Sequence, residues 1–355
     1  MKLLHAADLH LDSAFSALSP SLAAKRRQEQ REMIFRLVEL CNANDCDLML
    51  LAGDLFDSEN VYPDTVEALC EAFSDCRCRI YISPGNHDYC TAAGVYSCKK
   101  WPENVHIFTK NAIECVELAH LSCRVYGAGF TAMDCAPLLA DFSAPCDGFC
   151  NLMVLHGDCT NSGSPCNPIS RAQIAASNLD YLALGHIHAQ SGLKKEGGTF
   201  YAWPGCAMGR GFDEPGQKGC YLCEIEKGSV RAEFVPLDGR KYEILRVNAA
   251  DVERALPPDT ENDVYRIILE GESEKIDLLS LYSKLSPRFF SLQLKDETVP
   301  PRALWDGSEE DTLRGLFLRE LKARYEAADD DETRKTIVLA VQYGMNAMDG
   351  REAVI

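Results

Sequence analysis

Side chains that commonly bind metal ions are grouped at five places in the first 190 residues of the chain. Each group directly follows a short apolar run. The candidates in these groups are Asp8, His10, Asp54, Asn86, His87, His156, His186 and His188. They include five of the eight histidines in the chain. Carboxylate, imidazole and amide groups together indicate a metal centre, for which manganese, iron or zinc is better suited than calcium.

The candidate ligands are more numerous than one ion uses, so the sequence indicates two divalent ions. Two ions about 3.5–4 Å apart need a bridging ligand, and a short carboxylate side chain does this well. Asp54, in a tight Gly53-Asp54 turn, is the best candidate. Two ions bring four positive charges, of which Asp8 and Asp54 neutralise two. The remaining charge favours an anionic phosphate and a hydroxide, which predicts phosphoester chemistry.

The apolar runs before these groups have the length and composition of buried β-strands, and helical stretches separate the first three. The runs are 3–7, 47–52, 79–83, 152–155 and 181–184, and the helical stretches are 23–42 and 63–74. This β-α-β-α-β order predicts an α/β fold with a partly parallel sheet covered by helices. Later apolar runs predict a second sheet stacked on the first, from 124–128, 199–203 and 219–225. Ligand sites of open α/β sheets gather at the carboxyl ends of the strands, so the five groups should meet there.

The length of 355 residues is sufficient for two domains and a smaller element. All 17 cysteines lie at or before Cys223, which indicates a change of composition soon afterwards. A double proline, Pro300-Pro301, interrupts the chain later. The predicted parts are a first domain over 1–240, a small α/β domain over 241–300 and a helical segment over 301–355.

The five groups, in this order, resemble the five motifs of the calcineurin-like metallophosphoesterases. The motifs are Asp8-x-His10, Gly53-Asp54-x-x-Asp57, Gly85-Asn86-His87-Asp88, His156-Gly157 and Gly185-His186-x-His188. One such motif alone would be a weak signal, but all five in order are specific. The resemblance implies the two-sheet β-sandwich flanked by helices of that family, followed by a small α/β capping domain and C-terminal helices.

The resemblance also implies a role for each residue. One ion would be bound by Asp8, His10, Asp54 and His188, and the other by Asp54, Asn86, His156 and His186. His87 would face the scissile phosphate and stabilise or protonate the leaving oxygen, a role that suits imidazole because it titrates near neutral pH. Asp57 would orient His87. The implied reaction is in-line attack on phosphorus by a metal-bridging hydroxide, which cleaves a phosphodiester.

Within the superfamily, three segments are most similar to SbcD-type DNA-repair exonucleases. They are Asp8-Leu9-His10-Leu11-Asp12, Gly53-Asp54-Leu55-Phe56-Asp57 and the Pro204-Gly205 turn. This resemblance implies an exonuclease or endonuclease of DNA repair that uses manganese, with iron or zinc as alternatives. It also implies an SbcC-like ATPase partner with a long coiled coil, which the C-terminal helices would contact. Family members often form homodimers through helices of the first domain, and the sequence leaves this open.

The chain is acidic, with 36 basic and 54 acidic side chains and a net charge of −18. The acidic excess is present both before and after residue 240. Unaided binding to a nucleic-acid backbone normally needs Lys and Arg, so DNA would bind through the metal ions or with the help of a partner. No apolar run reaches the roughly 18 residues that span a membrane, and the N-terminus lacks a secretory pattern. We therefore expect a cytoplasmic protein without a membrane anchor.

Two other functions compete with the nuclease. The first is a phosphatase or phosphodiesterase that acts on small nucleotides or phosphoproteins with the same metal site. The acidity of the chain favours this alternative, whereas the motif details and the trailing cap-like domain favour the nuclease. The second is a catalytically silent scaffold that binds partners. The complete ligand set argues against a scaffold.

Other residues give weaker signals. His5 lies inside the first predicted strand and is expected to be a core histidine. Cys76-x-Cys78 and Cys220-x-x-Cys223 lack the full paired spacing of a zinc ribbon, so we expect buried structural thiols there. Arg210 could contact a phosphate, but an exposed turn residue is the better prediction.

Overall fold

The computed structural model describes residues 1–237, 239–273 and 276–349. The chain divides into two compact units, Met1–Tyr242 and Glu243–Ile355. The three-part division at residues 240 and 300 stays a prediction. Residues 274–275 of the predicted capping domain and 350–355 of the predicted C-terminal segment lie outside the described residues.

The strands of the first unit are listed in chain order. They are β1 (Lys2–Ala6), β2 (Leu48–Leu51), β3 (Arg79–Ile82), β4 (Val105–Ile107), β5 (Glu114–Leu118), β6 (Cys123–Gly127), β7 (Cys150–His156), β8 (Tyr181–Gly185), β9 (Lys194–Glu196), β10 (Thr199–Ala202), β11 (Gly219–Glu226) and β12 (Ser229–Pro236). The helices are α1 (Pro20–Ala43), α2 (Pro63–Asp75), α3 (Val95–Cys98) and α4 (Arg171–Ala176), with a 3-10 turn at Ala119–Leu121. Proline at the first position fits the two long helices, because it has a helical φ and its missing N–H has no partner there.

These strands form two sheets. The first has the order β12-β11-β1-β2-β3-β4, and the second has the order β5-β6-β7-β8-β10-β9. Strands β1 to β4 are parallel, and so are β6, β7, β8 and β10. The carboxyl ends of the central strands therefore lie together in each sheet. The predicted α/β class, with more than one sheet and flanking helices, is confirmed.

Strands of the first sheet contribute to two cores, because successive side chains of a strand point to opposite faces. Leu4, Met49 and Ile80 pack with the apolar residues of α1 and α2. Leu3 points the other way, into a core between the sheets to which Val154 of β7 also contributes. A third cluster packs against the outer face of the second sheet. The first unit is thus a sandwich of two sheets with helices outside.

His5 lies in the core between the two sheets, as predicted, and is fully buried. Its Nδ1 lies 2.9 Å from the Tyr181 hydroxyl, and its Nε2 lies 3.0 Å from the backbone oxygen of Leu184. The carbonyl oxygen can only accept, so Nε2 carries the proton and Nδ1 accepts from the tyrosine. Burial lowers the pKa of His5 to about 3, against a hydrogen bond to Leu184 that raises it.

The stability of the protein is expected to depend on pH through this histidine. The pKa of His5 is about 3 when folded and about 6.5 when unfolded, so below pH 6.5 the unfolded chain binds a proton that the folded protein excludes. Stability from this group is complete above pH 6.5 and falls by about 1.4 kcal/mol per pH unit down to pH 3. Urea unfolding of metal-free protein should show that slope, and His5→Gln should reduce it. Equal slopes in the two proteins would contradict the prediction.

The second unit has its own small sheet, with the order β13-β14-β15. Its elements are β13 (Tyr242–Asn248), which begins in the first unit, α5 (Val252–Ala255), β14 (Val264–Glu270), α6 (Leu278–Leu285), β15 (Ser291–Asp296), α7 (Leu313–Ala327) and α8 (Asp331–Met348), with 3-10 turns at Ala249–Asp251, Ser286–Arg288 and Arg302–Trp305. Ile267 and Leu292 of the sheet share a core with Leu285 of α6. Within the described residues, no helix has both the length and the apolar character to cross a membrane.

Candidate metal centre

The predicted ligands lie just beyond the carboxyl ends of strands from both sheets. Those from the first sheet follow β1, β2 and β3, whereas His156 ends β7 and His186 follows β8. Backbone hydrogen bonds join the loops after β1 and β2, from the N–H of Asp8 to Gly53 O (3.0 Å) and from the N–H of His10 to Asp54 O (2.9 Å). The structure thus brings the five groups of the sequence together at one edge of the sandwich.

Several of these residues have a left-handed backbone conformation. The φ angles are 51° for Asp8, 44° for His10, 50° for Asp54 and 97° for His186. Such angles are uncommon for residues with a side chain and cost of the order of 1–3 kcal/mol each. Gly85, in contrast, is needed for space, because a Cβ atom there would collide with the Asp54 carboxylate and the His156 ring. Strain and close packing at one place indicate that the local structure is adapted to position these side chains.

The first group of predicted ligands contains Asp8, His10, Asp54 and His188. Ligand atoms of Asp8, His10 and His188 lie within 4.8 Å of one another. The Nε2 atoms of His10 and His188 are 3.2 Å apart, and His10 Nε2 is 3.7 Å from Asp54 Oδ2. His188 directs its Nδ1 at the Glu214 carboxylate (2.6 Å), so its Nε2 has a lone pair. Acceptor atoms this close repel one another unless a cation lies between them, so this group fits a metal ion.

The second group contains Asp54, Asn86, His156 and His186. His156 Nδ1 donates to the backbone oxygen of Ala52 (2.9 Å), which leaves a lone pair on Nε2. That lone pair faces Asn86 Oδ1 at 3.0 Å and Asp54 Oδ2 at 3.4 Å, and His186 Nδ1 is 3.2 Å from the same amide oxygen. These acceptors also fit a cation. Asp54 Oδ2 faces both groups, as a bridging ligand must.

His87 lies beside the two groups and is exposed to solvent, unlike the buried Asp8, His10 and Asp54. Its backbone N–H donates to Asp54 Oδ1 (3.0 Å), and its Nδ1 is 2.9 Å from the backbone oxygen of Asp57. The carbonyl can only accept, so Nδ1 carries a proton and the other ring nitrogen is available for a ligand. This placement is compatible with the predicted role, although a ring nitrogen of His87 also clusters with His10 and Asp54.

The predicted role of Asp57 needs a correction. Its carboxylate does not orient His87, which contacts the backbone oxygen of Asp57 instead. The carboxylate lies 3.1 Å from Nδ1 of His10 and 2.7 Å from the Arg210 guanidinium. Asp57 therefore supports a predicted metal ligand rather than the predicted acid. The sequence could not show this, because His10 and His87 both lie within reach of residue 57 only after folding.

Glu214 and Arg210 complete this support, and the sequence did not predict it. Arg210 was expected to be exposed, but its guanidinium is largely buried between Asp57 and Glu214, 2.7 Å from each carboxylate. Burial opposes the ionisation of Glu214, but hydrogen bonds from His188 and Arg210 outweigh it and lower the pKa of Glu214. No local pattern indicates this role, since Glu214 lies in a loop 26 residues beyond His188.

Replacing Glu214 by glutamine is expected to weaken metal binding without abolishing catalysis. The amide lacks the charge that orients His188 and increases its basicity, a contribution usually worth about 10–100-fold in metal affinity. A titration of activity against metal concentration should show a higher half-saturation point in Glu214→Gln, with most of the maximal rate recovered at saturation. Glu103→Gln, at an exposed position, is the matched control. An unchanged half-saturation point would show that Glu214 has no such role.

Asp88 is a second residue to which the sequence gave no role beyond membership of a motif. Its Oδ1 accepts from the N–H of Gly85 (2.7 Å), and its Oδ2 accepts from the N–H of Leu55 (2.7 Å) and the Tyr96 hydroxyl (2.6 Å). Burial, together with the nearby Asp54 carboxylate, raises the pKa of Asp88. Asp88 thus fixes the loop after β2 to the loop after β3, and with them two predicted ligands.

The sequence model of the calcineurin-like phosphoesterases matches residues 1–190 of this chain. The chain belongs to the calcineurin-like phosphoesterase family. This confirms the family predicted from the five motifs, whereas the narrower resemblance to SbcD-type nucleases stays a prediction. Calcineurin-like phosphoesterases are metal-dependent hydrolases of phosphoesters with a dinuclear metal centre. The two groups of ligand atoms that share Asp54 are the candidate for that centre.

Two curated relatives of this phosphoesterase can be compared with it. The uncharacterized metallophosphoesterase YhaO of Bacillus subtilis (strain 168) is 32% identical over 261 residues, which cover 70% of this chain and 62% of YhaO. The DNA double-strand break repair protein Mre11 of Methanopyrus kandleri is 22% identical over 284 residues, which cover 72% of this chain and 61% of that protein. The chain therefore spans about three fifths of the length of each relative.

Among solved structures, the phosphoesterase is similar to TT1561 of Thermus thermophilus. The match has a TM-score of 0.40 and 12% sequence identity, and it covers 66% of this chain and 98% of TT1561. The family assignment rests on the sequence match and not on this likeness.

Proposed function

We propose that the protein is a manganese-dependent phosphodiesterase that cleaves DNA in repair, similar to the SbcD-type nucleases. The observation that carries the proposal is the sharing of Asp54 between two groups of acceptor atoms, with the exposed His87 beside them. This arrangement suits a dinuclear centre and an acid next to it. A phosphodiester that bound there would have its leaving oxygen within reach of an imidazole.

The residues would divide the work as follows. Bound divalent ions would neutralise phosphate charge and activate a water molecule. Asp54 would hold the two ions at a fixed separation, and its Oδ1 would hold the backbone of His87 in place. His87 would donate a proton to the leaving oxygen from the ring nitrogen that does not contact Asp57. The supporting carboxylates of Asp57 and Glu214 would keep His10 and His188 aimed at one ion.

The exposure of the site supports a polymeric substrate. Asp8, His10 and Asp54 are buried, but Asn86, His186 and His188 are partly exposed and His87 is exposed. The ligand groups therefore reach the surface of the first unit, where a long phosphodiester chain could contact them without entering a deep cavity. The motif details and the similarity to Mre11, whose name describes a protein of double-strand break repair, favour DNA as this polymer.

The acidic charge of the chain indicates that a partner takes part in DNA binding. The net charge is −18, and the arginine beside the site, Arg210, is already paired with two carboxylates. An SbcC-like ATPase could supply the positive charge that holds DNA. Leu313 and Leu316 at the start of α7 are 77% and 53% exposed and provide an apolar surface for such a partner.

The alternative substrate is a small nucleotide or a phosphoprotein. The same exposed site and the same acidic surface suit it, because neither substrate requires a basic track along the protein. A silent scaffold is disfavoured by the convergent acceptor atoms, since a binding protein has no need of strained residues that hold them close together.

The deciding experiment compares two substrates with manganese present. One is linear duplex DNA, with the release of nucleotides as the readout, and the other is the small diester bis(4-nitrophenyl) phosphate. Asp54→Asn, purified in the same way, corrects for contaminating nucleases. The proposal predicts that the wild-type protein degrades DNA and that the variant does not. Cleavage of the small diester with intact DNA, also after addition of the ATPase partner, would move the assignment to small substrates.

A further inference from the structure

Four cysteines form a cluster on the side of the first sheet that faces the helices. Cys41 lies in the last turn of α1, Cys46 precedes β2, Cys76 follows α2 and Cys78 precedes β3. All four are buried, with 0–9% of each residue exposed. This cysteine cluster is separate from the candidate metal centre, which lies beyond the carboxyl ends of β2 and β3, because the cysteines lie at their amino ends.

The sulfur atoms are close enough to bind one ion. The Sγ atoms of Cys41, Cys76 and Cys78 lie within 4.8 Å of one another. Cys78 Sγ is 3.4 Å from that of Cys41 and 3.6 Å from that of Cys76. The Cys46 thiol forms a hydrogen bond with that of Cys41. Four sulfurs placed tetrahedrally around zinc at about 2.3 Å are about 3.8 Å from one another, so these separations resemble the edges of such a tetrahedron.

Surrounding groups hold the cluster and favour thiolates. The Asn104 side chain donates to the backbone oxygens of Cys76 and Cys78 at 3.0 and 3.2 Å. Hydrogen bonds from the thiols of Cys41 and Cys78 lower the pKa of Cys76 to about 3, and the backbone N–H of Cys78 acts in the same direction. Cys46 also borders a surface pocket beside Lys2, which gives an ion a route to the cluster.

We propose that Cys41, Cys46, Cys76 and Cys78 bind a structural zinc ion. Soft thiolate ligands in a closed four-coordinate arrangement favour zinc, and all four cysteines are free thiols. Binding releases the thiol protons, and the cation compensates thiolates that burial would otherwise destabilise. The ion would tie the ends of α1 and α2 to the starts of β2 and β3. It would therefore stabilise the strands that carry Asp54 and Asn86, without contact with the reacting groups.

The sequence expectation for Cys76 and Cys78 was incomplete rather than wrong. Cys76-x-Cys78 alone lacked the paired spacing of a zinc site, and the structure confirms that both residues are buried. The second pair, Cys41 and Cys46, is separated from the first by about 30 residues and by strand β2. Only the packing of α1 beside α2 brings the two pairs together.

The test is the content and coordination of zinc in four proteins expressed with zinc. They are the wild type, Cys41→Ser, Asp54→Asn and Cys123→Ser, the last being a fully buried cysteine outside the cluster. X-ray absorption should show zinc–sulfur distances near 2.3 Å in the wild type, Asp54→Asn and Cys123→Ser. Cys41→Ser should lose about one zinc ion per chain and unfold at a lower temperature. Asp54→Asn separates this ion from zinc bound at the candidate metal centre.

A second measurement covers the case in which Cys41→Ser does not fold. Wild-type protein loaded with cobalt(II) should show the sulfur-to-cobalt charge-transfer absorption that nitrogen and oxygen ligands do not give. The proposal would be overturned by zinc with nitrogen and oxygen neighbours alone, or by the absence of the cobalt band. A disulfide within the cysteine cluster, detected by mass spectrometry of the native protein, would overturn it as well.

Discussion

Asp54→Asn is expected to lose phosphodiester hydrolysis by at least about 10³-fold. Asp54 Oδ2 faces His10 at 3.7 Å and His156 at 3.4 Å, so it belongs to both groups of predicted ligands. The amide that replaces it has no charge and bridges two cations poorly. Loss of even one ion removes several kcal/mol of transition-state stabilisation, which corresponds to the stated factor. Asparagine fits the same space and tolerates the left-handed backbone of residue 54, so the fold should survive.

The measurements for this variant are metal content after dialysis and the rate on a small diester. Asp45→Asn is the matched control, because Asp45 is exposed and has nearly the same φ of 51° at a site far along the strand from the ligands. The control should retain both ions and the full rate. Two ions per chain and an undiminished rate in Asp54→Asn would show that residue 54 does not bridge the centre.

His87→Ala is expected to lower the maximal rate by about 10²–10⁴-fold and to leave metal content unchanged. The reason is that His87 lies beside the ligand groups and, in the proposed mechanism, donates a proton instead of binding an ion. The loss should depend on the leaving group. It should be large for a dinucleotide, whose alkoxide leaving oxygen needs a proton, and small for a 4-nitrophenyl diester, whose phenolate leaves without one.

Metal analysis distinguishes this role from the alternative that the geometry also allows. A ring nitrogen of His87 clusters with His10 and Asp54, so His87 could be a ligand. In that case His87→Ala would lose an ion, and both substrates would be affected alike. Equal losses on the two substrates with full metal occupancy would instead indicate that His87 binds the phosphate without donating a proton.

Much of the fold followed from local patterns. Buried runs ending in Gly-Asp or Gly-His turns marked β1, β2, β3, β7 and β8, because a strand covered on both faces needs continuous apolar residues. The same turns contained every predicted metal ligand. Since parallel strands end at one edge, the order of elements was enough to predict that these residues meet.

The supporting residues could not be predicted in this way. The partners of Asp57, His188 and the pair Cys76 and Cys78 come from distant parts of the chain and are decided by packing. Glu214 reaches His188 from a loop with no regular pattern, and Arg210 is buried only because two carboxylates surround it. Sequence motifs therefore identify the groups that would contact substrate and metal, but not the network that aims them.

The division of the candidate ligands between the two sheets has a consequence for the lifetime of the protein. Asp54 and Asn86 come from the first sheet, and His156 and His186 from the second, so an ion bound by all four clasps the layers at one edge. Ions that bind only the closed sandwich stabilise it by mass action, by about 1.4 kcal/mol for each tenfold rise in free ion above the dissociation constant. Metal starvation would then release the clasp and expose the chain to proteases. The supply of the ion would thus regulate the abundance of the protein as well as its activity.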